Sequence, residues 1–441
     1  MPIIDNIFSD GERRSLLVDE RGDLDFWSTL YVTVELRQDQ KQTSIKKELY
    51  NIKLIRNWER LHGRSLLDEF RKQKFLDKET IVSIKRYCGL SAKKIANKEK
   101  KIVKFSRLAN SPTTLDTVDK NYQYQRMLSI NNYLKFCAWE LCKFKTNAAS
   151  LRNDIEIMYK NIKAHYPKGL SNVSKVTHAE AEDFQAFLKV AHPESRLNPF
   201  TNYELKLRNY LLIQVLYWTG CRPSEALALT LDDVNHDVEE PALKFVRRHD
   251  DINDPRKLQP TLKTQEREIP IPPIIYDDLE YYIRSIRPTF TLSKSHPYIF
   301  VSHKGQTAGS AMTDKAFSEA VIPKLKAVDP RFENIQRRGF RVYFNERLSE
   351  RIDSYNEEIH GKIIDAENKG NSQEAALLKR KLIKEADEID TRMQLNGHSS
   401  PHSSAPYLDR YANRKAKEIH KRMIVDISNA TKEISDARKS K

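Results

Sequence analysis

Four short stretches of this sequence hold side chains that can grip or transfer charge. Tyr217–Val234, YWTGCRPSEALALTLDDV, sets Arg222 between two apolar runs, with Glu225 three residues on. An arginine at such a junction is costly unless an anion meets it, and that anion is either a protein carboxylate or a phosphate arriving from outside. Lys263 stands in LKTQEREIPIP at the start of a strand-like run, and Arg338 and Arg341 stand in RRGFRVYFNERL at the entrance to a helix. The stretch GHSSPHSSAPYLDRY supplies His398, Tyr407 and Tyr411. Each has a plainer reading when taken singly. A turn arginine forms a surface salt bridge, a Gly-His pair caps a helix, and a tyrosine packs its ring against apolar neighbours.

The chain around these residues narrows the choice. Its 76 Lys and Arg against 61 Asp and Glu leave a formal charge of +15. Such a surplus on a protein with no membrane-spanning pattern points to a polyanion, most often nucleic acid, although a basic surface with no partner has the same composition. Cys88, Cys137, Cys142 and Cys221 form no CxxC pair and have no histidine nearby, so they read as small apolar residues in a reduced compartment, not as a metal site. No apolar run is long enough for a bilayer, and the first residues lack a signal-peptide pattern, so the expected location is the cytoplasm.

At 441 residues the chain is too long for one ordinary core. Residues 1–26 are mixed and polar, without a clear period. From 27 to 165 the pattern is helical. SIKKELYNIKLIRNWERL spaces Leu49, Ile52, Ile55 and Trp58 as one helix face, and NNYLKFCAWELCKF does the same with Tyr133, Phe136, Cys137, Trp139 and Leu141. Between them, SAKKIANKEKKIVKF is a solvated face or a contact for phosphates. YPKGLSNVSKV, residues 166–176, reads as a linker. A second domain, 177–415, opens on THAE, a capping-box pattern. It continues with the buried helix NYLLIQVLYW and the short strands ALKFVRR, REIPIP and HPYIFVSHKG. Residues 346–392 are very highly charged. The NKGNS turn in their middle predicts two antiparallel helices. Residues 416–441 form a basic helical tail. The expected fold is mainly α with a small antiparallel β-sheet.

In their order, the four stretches resemble the tyrosine recombinases, the phage-integrase-like family, over about 175–415 and more loosely before that. TGCRPSEALAL fits the first arginine box, LKTQEREIPI the lysine-bearing hairpin, and NGHSS the third box. Tyr407 lies nine residues after His398, the family's usual interval. The resemblance implies a helical core-binding domain followed by a catalytic domain. It implies that Arg222 and Arg341 hold the oxygens of a scissile phosphate, that Lys263 protonates the leaving 5′-oxygen, and that His398 assists. Tyr407 would attack to give a 3′-phosphotyrosine; Tyr411, in DRYAN, is the alternative nucleophile. Glu225 would brace Arg222. No cofactor and no metal are implied. The partners would be double-stranded DNA and three further copies, a homotetramer on two sites.

Two departures from the pattern stand out. The second box usually reads His-x-x-Arg, whereas here Arg338 takes the first place, and an arginine cannot serve as a base near neutral pH. The interval from Arg341 to His398 is long, so 346–392 reads as an insertion, either a solvated hairpin or a surface for DNA or another protomer. The leading expectation is a site-specific recombinase or integrase of a mobile element. The alternatives are a telomere resolvase, a type IB topoisomerase-like enzyme, or a non-catalytic DNA-binding protein descended from a recombinase.

Overall fold

The computed structural model describes residues 1–101, 117–169, 179–237, 239–409, 411–416, 419–420 and 423–424. The chain divides into two compact units, Met1–Val176 and Thr177–Lys441. Most of the expected linker, 170–176, lies outside the described residues, as do 102–105 of the Lys-rich stretch, the residues after it to 116, and most of the tail. The fold is mainly helical with small antiparallel sheets.

The first unit opens on a hairpin that composition did not reveal. β1 (Ile3–Ile7) pairs antiparallel with β2 (Arg13–Leu17). Alternation turns Arg13, Ser15 and Leu17 inward. Leu17 joins the core built by α1 (Gln42–His62), α2 (Lys78–Cys88), α3 (Lys120–Cys142) and α4 (Ala148–Ala164). Leu49, Ile52, Ile55 and Trp58 are all buried along one face of α1, as their spacing predicts. Tyr133, Phe136 and Cys137 are buried on α3, with Trp139 and Leu141 packed at the edge. The first part of the Lys-rich stretch is a helix, Ala92–Lys101.

The second unit is organised around one apolar helix. α5 (Ala181–Ala191) begins after Glu180; the expected cap, Thr177, lies outside the described residues. α6 (Tyr203–Thr219) buries Leu207, Leu211, Leu212, Ile213, Val215 and Leu216 almost completely, as a helix apolar on all sides must. A short helix α7 (Pro223–Ala226) follows, with proline at its first position. The sheet has the order β3 (Val234–Asn235), β4 (Ala242–Phe245), β5 (Arg267–Pro270), all antiparallel. Leu243 and Phe245 of β4 point into the core. The stretch HPYIFVSHKG is not a strand. Tyr298 and Val301 make single bridges to Thr230 and Ala311, because neither neighbour runs alongside for a second residue. After α8 (Pro273–Tyr281) and several short turns comes α9 (Gly339–Asn368), then α10 (Ser372–Lys381) and α11 (Glu385–Asn396).

The charged region is therefore a helical arm, and it differs from two simple antiparallel helices. α9 runs unbroken from the second arginine box into the arm. The returning leg is split at 382–384, where Asn356 Nδ2 donates to the Ile383 carbonyl and Asn356 Oδ1 accepts from the Ile383 N–H, both at 2.9 Å. A polar side chain on α9 thus satisfies the backbone groups that the break frees.

Candidate active site

The local fold explains how an arginine comes to stand at the end of α6. Gly220 ends that helix in the left-handed conformation, with φ 58°. A Cβ there would lie 2.4 Å from the Phe344 ring, so conformation and space both demand glycine. The chain then turns into α7, with Arg222 as its N-cap. Glu225, whose side chain is fully buried, accepts from the Arg222 backbone N–H (3.1 Å) and from Arg222 Nη1 (3.0 Å). It also accepts from Thr264 Oγ1 (3.1 Å) and Arg267 Nη2 (2.8 Å). Burial pushes the Glu225 pKa upward, but Arg267 and its hydrogen bond, with Arg222 and Arg341, outweigh this and hold it below the ordinary carboxylate value. Glu225 is thus the brace that its spacing suggests.

Arg267, four residues after Lys263 in the same stretch, carries no signal in the sequence pattern, yet it ties three segments together. Beyond Glu225 it donates to Thr264 Oγ1 (2.8 Å) and to the Leu395 carbonyl (2.9 Å), and its guanidinium lies over the Phe245 ring. Lys263 is exposed on the segment before β5 and makes no hydrogen bond or ion pair among the described residues. Its neighbours fix its place. Ser224 Oγ reaches the Thr261 carbonyl at 3.5 Å, and Thr264 reaches Glu225, so Lys263 is carried beside α7. The long β4–β5 connection is pinned to the body by Arg256. That residue pairs with Asp254 and donates to the carbonyls of Leu227 and Met312, each at 2.9 Å.

Arg341 lies on the first turn of α9 and is 5% exposed. It donates to the Gly220 carbonyl (3.1 Å), to the Asn396 carbonyl (2.8 Å) and to His398 Nε2 (2.7 Å). A guanidinium only donates, so Nε2 is the acceptor and the imidazole is neutral. Its proton then sits on Nδ1, 2.9 Å from Ser404 Oγ. Burial first, then the charges of Arg341, Arg222 and Arg267, depress the His398 pKa to about 4, with Glu225 opposing. Burial and the like charge of Arg222 also lower Arg341, partly offset by Tyr407 and Glu225. Gly397 reaches φ 64°, and a Cβ would stand 2.8 Å from the Gln265 carbonyl. The Gln265 N–H donates to the Gly397 carbonyl at 2.9 Å, which docks the lysine segment onto the histidine turn.

The two tyrosines are separated by their surroundings. Tyr407 sits in a helical turn, 405–409, with its ring stacked on His398 at 6.1 Å and 14°. Its hydroxyl makes no hydrogen bond among the described residues. Tyr411 donates to Asp353 of α9 at 2.7 Å, and burial together with Asp353 raises its pKa. Arg338, the N-cap of α9, is exposed and has no hydrogen-bond or ion-pair partner among the described residues. The structure therefore brings Arg222, Glu225, Arg341, His398 and Tyr407 together, carries Lys263 to their edge, and holds Tyr411 on the arm. Among the described residues no group of His, Cys, Asp and Glu could hold a metal ion. No described helix is long and apolar enough to cross a membrane.

Three guanidiniums around one buried carboxylate, beside a neutral histidine and a tyrosine, make a site for an anionic group. Residues 190–353 match the phage integrase family. The tyrosine recombinase XerD of Halalkalibacterium halodurans is 28% identical over 156 residues, which is 35% of this chain and 44% of the relative. The matched region is thus under half the length of that curated relative. Among solved structures, the XerH site-specific recombinase bound to palindromic difH substrate is similar with 13% identity, covering 89% of this chain and 93% of that one, at a TM-score of 0.41. The Tn1549 transposon integrase in complex with circular intermediate DNA has 14% identity, 89% and 99% coverage, and a TM-score of 0.42.

Proposed function

We propose that this protein is a site-specific DNA recombinase or integrase that cuts and rejoins DNA through a 3′-phosphotyrosine. One observation carries the reading: Arg222 and Arg267 bind the single carboxylate of Glu225, while Arg341 nearby has only carbonyls and His398 as partners, which leaves positive charge uncompensated beside Tyr407. Arg222, whose side chain is 37% exposed, and the buried Arg341 receive the non-bridging oxygens of the phosphate. They stabilise the charge that builds there in the transition state. The Tyr407 oxygen attacks phosphorus in line with the departing 5′-oxygen, and Lys263 gives that oxygen its proton. Once Arg341 turns toward the ligand, His398 with its proton on Nε2 donates to a phosphate oxygen. The covalent bond conserves the energy of the phosphodiester, so rejoining is the reverse attack by a 5′-hydroxyl. Arg338, one turn before Arg341, is exposed and free to donate to the phosphate but accepts no proton, so the tyrosine's proton leaves to His398 or to water.

The substrate is double-stranded DNA, held by phosphate contacts from both units, and a homotetramer on two sites supplies the four tyrosines that recombination consumes. The setting is the cytoplasm, and a mobile element is the source that suits such an enzyme. A suicide DNA substrate tests the chemistry. Wild-type protein should form a covalent adduct that disappears in Tyr407→Phe, and peptide mapping should place the nucleotide on Tyr407. Binding without any adduct would establish the recombinase-derived binder instead. Lys263→Ala should recover on a 5′-bridging phosphorothiolate, whose leaving group needs no proton.

A further inference from the structure

The arm is joined to the site by buried polar groups that nothing above uses. On α9, Arg341, Asn345 and Ser349 recur every four residues. On α11, Glu388, Arg392 and Asn396 do the same, and the two stripes meet in opposite directions. Arg392 and Asn396 are 0% exposed, and Asn345 and Ser349 are 1% exposed. Arg392 Nη1 donates to the backbone carbonyl and to Oδ1 of Asn345, both at 2.9 Å. Its Nη2 donates to Ser349 Oγ and to Glu388 Oε1. Asn396 Nδ2 donates to Asn345 Oδ1 (2.8 Å), while Asn345 Nδ2 donates to the Arg341 carbonyl (2.7 Å) and to Asn396 Oδ1 (3.2 Å). The carbonyl of Asn396 is the one that holds Arg341 Nη2.

We infer that Arg392 is a positioning residue: through Asn345 and Asn396 it fixes the last turn of α11 against α9, and so sets the direction in which Arg341 points. Apolar packing would hold two helices together but would tolerate sliding and rotation. A buried guanidinium with four acceptors in fixed places does not, because a shift strands a charge away from water. Arg392 therefore acts on the phosphate site without reaching it. A guanidinium displaced by an ångström at a reacting phosphate loses most of its effect. This inference rests on the recombinase reading for its kinetic consequence but not for its structural one.

The experiment has two arms. In the first, Arg392→Met at saturating suicide DNA should slow adduct formation by about tenfold to a hundredfold, with the half-saturating DNA concentration within about twofold of wild type. Glu388→Gln, which keeps shape and an acceptor, should show a smaller loss of the same kind. In the second arm, the His398 ring is followed by NMR in the free protein, its signal assigned by its absence in His398→Gln. Arg341, Arg222, Arg267, Glu225 and Tyr407 are the charged and titratable groups facing this ring. Wild-type His398 should titrate near 4, and in the Arg392 variant its midpoint should rise toward the ordinary 6.5 as Arg341 swings away. An unchanged midpoint with unchanged turnover per folded molecule would overturn the inference, even if the melting temperature falls. If Arg392→Met does not fold, the Glu388→Gln pair of measurements decides. If wild type forms no adduct, the proposed function fails, and the titration still decides this point.

Discussion

Arg56 in the first unit is largely covered and Arg341 in the second is buried, yet they are neutralised in opposite ways. Arg56 meets two carboxylates, Asp25 and Glu59, each at 3.1 Å, and its guanidinium lies near the Tyr133 ring. Burial alone would lower its pKa, but Tyr133, Asp25 and Glu59 raise it above the ordinary value. Arg341 touches only carbonyls and a neutral imidazole, with a second arginine nearby, and its pKa falls. The first arrangement is complete. The second is poised, since an incoming dianion or phosphodiester would supply what the protein withholds. A buried arginine is therefore informative about function only once its counter-charges are counted.

The contrast can be broken by substitution. Arg341→Ala should cut adduct formation by a hundredfold or more, about 3 kcal/mol of transition-state stabilisation, while DNA binding is largely kept. A rate within about twofold of wild type would remove Arg341 from the site. Arg56→Met should do the reverse. It strands two carboxylates and costs about 3 kcal/mol of stability in chemical denaturation, with adduct formation per folded molecule unchanged. Tyr411→Phe, which deletes one hydrogen bond to Asp353, should cost about 1 kcal/mol and still form the adduct. A nucleotide mapped to Tyr411 would transfer the nucleophile's role.

The smallest effect concerns acid. Unfolded His398 takes a proton below about 6.5, whereas the folded ring resists until about 4. The folded state binds fewer protons in that window, so this group's share of stability is whole above 6.5 and drains away as pH falls to 4. Melting temperatures of wild type and His398→Gln should therefore converge from pH 7 to pH 4. A gap that stays constant would mean that burial and the neighbouring arginines do not keep the folded ring from taking up a proton.

The boxes were legible because each breaks a local rule. Arg222 interrupts an apolar run, Gly220 stands two residues before Arg222 and Gly397 directly before His398, and Tyr407 lies nine residues after His398. The helix faces of α1 and α3 were legible from period alone. The hairpin at 3–17 was not, because Arg13 and Ser15 occupy its inward positions and disguise the alternation. The arm misled for a related reason. Ser349, Glu388 and Arg392 lie in the stretch that read as a solvated hairpin or a contact surface, although the four-residue recurrence of Asn345 and Ser349, and of Glu388, Arg392 and Asn396, on two opposed helices was a visible sign of a buried polar seam. The strand expected at HPYIFVSHKG failed because apolar content marks burial, while pairing depends on a neighbour running alongside.

The unbroken course of α9 also governs how this arm can vary among descendants of the chain. A helix of 30 residues is about 45 Å long, and each added residue turns everything beyond it by about 100°. A single inserted residue between Asn345 and Asn356 would rotate the outer contact sites away from α10 and α11. Lengthening is compatible with the seam only in near-whole turns, about seven residues for two, matched on the returning leg. Surviving length variants should thus fall into discrete classes, and the spacing of Arg341, Asn345 and Ser349 should outlast changes nearer the tip.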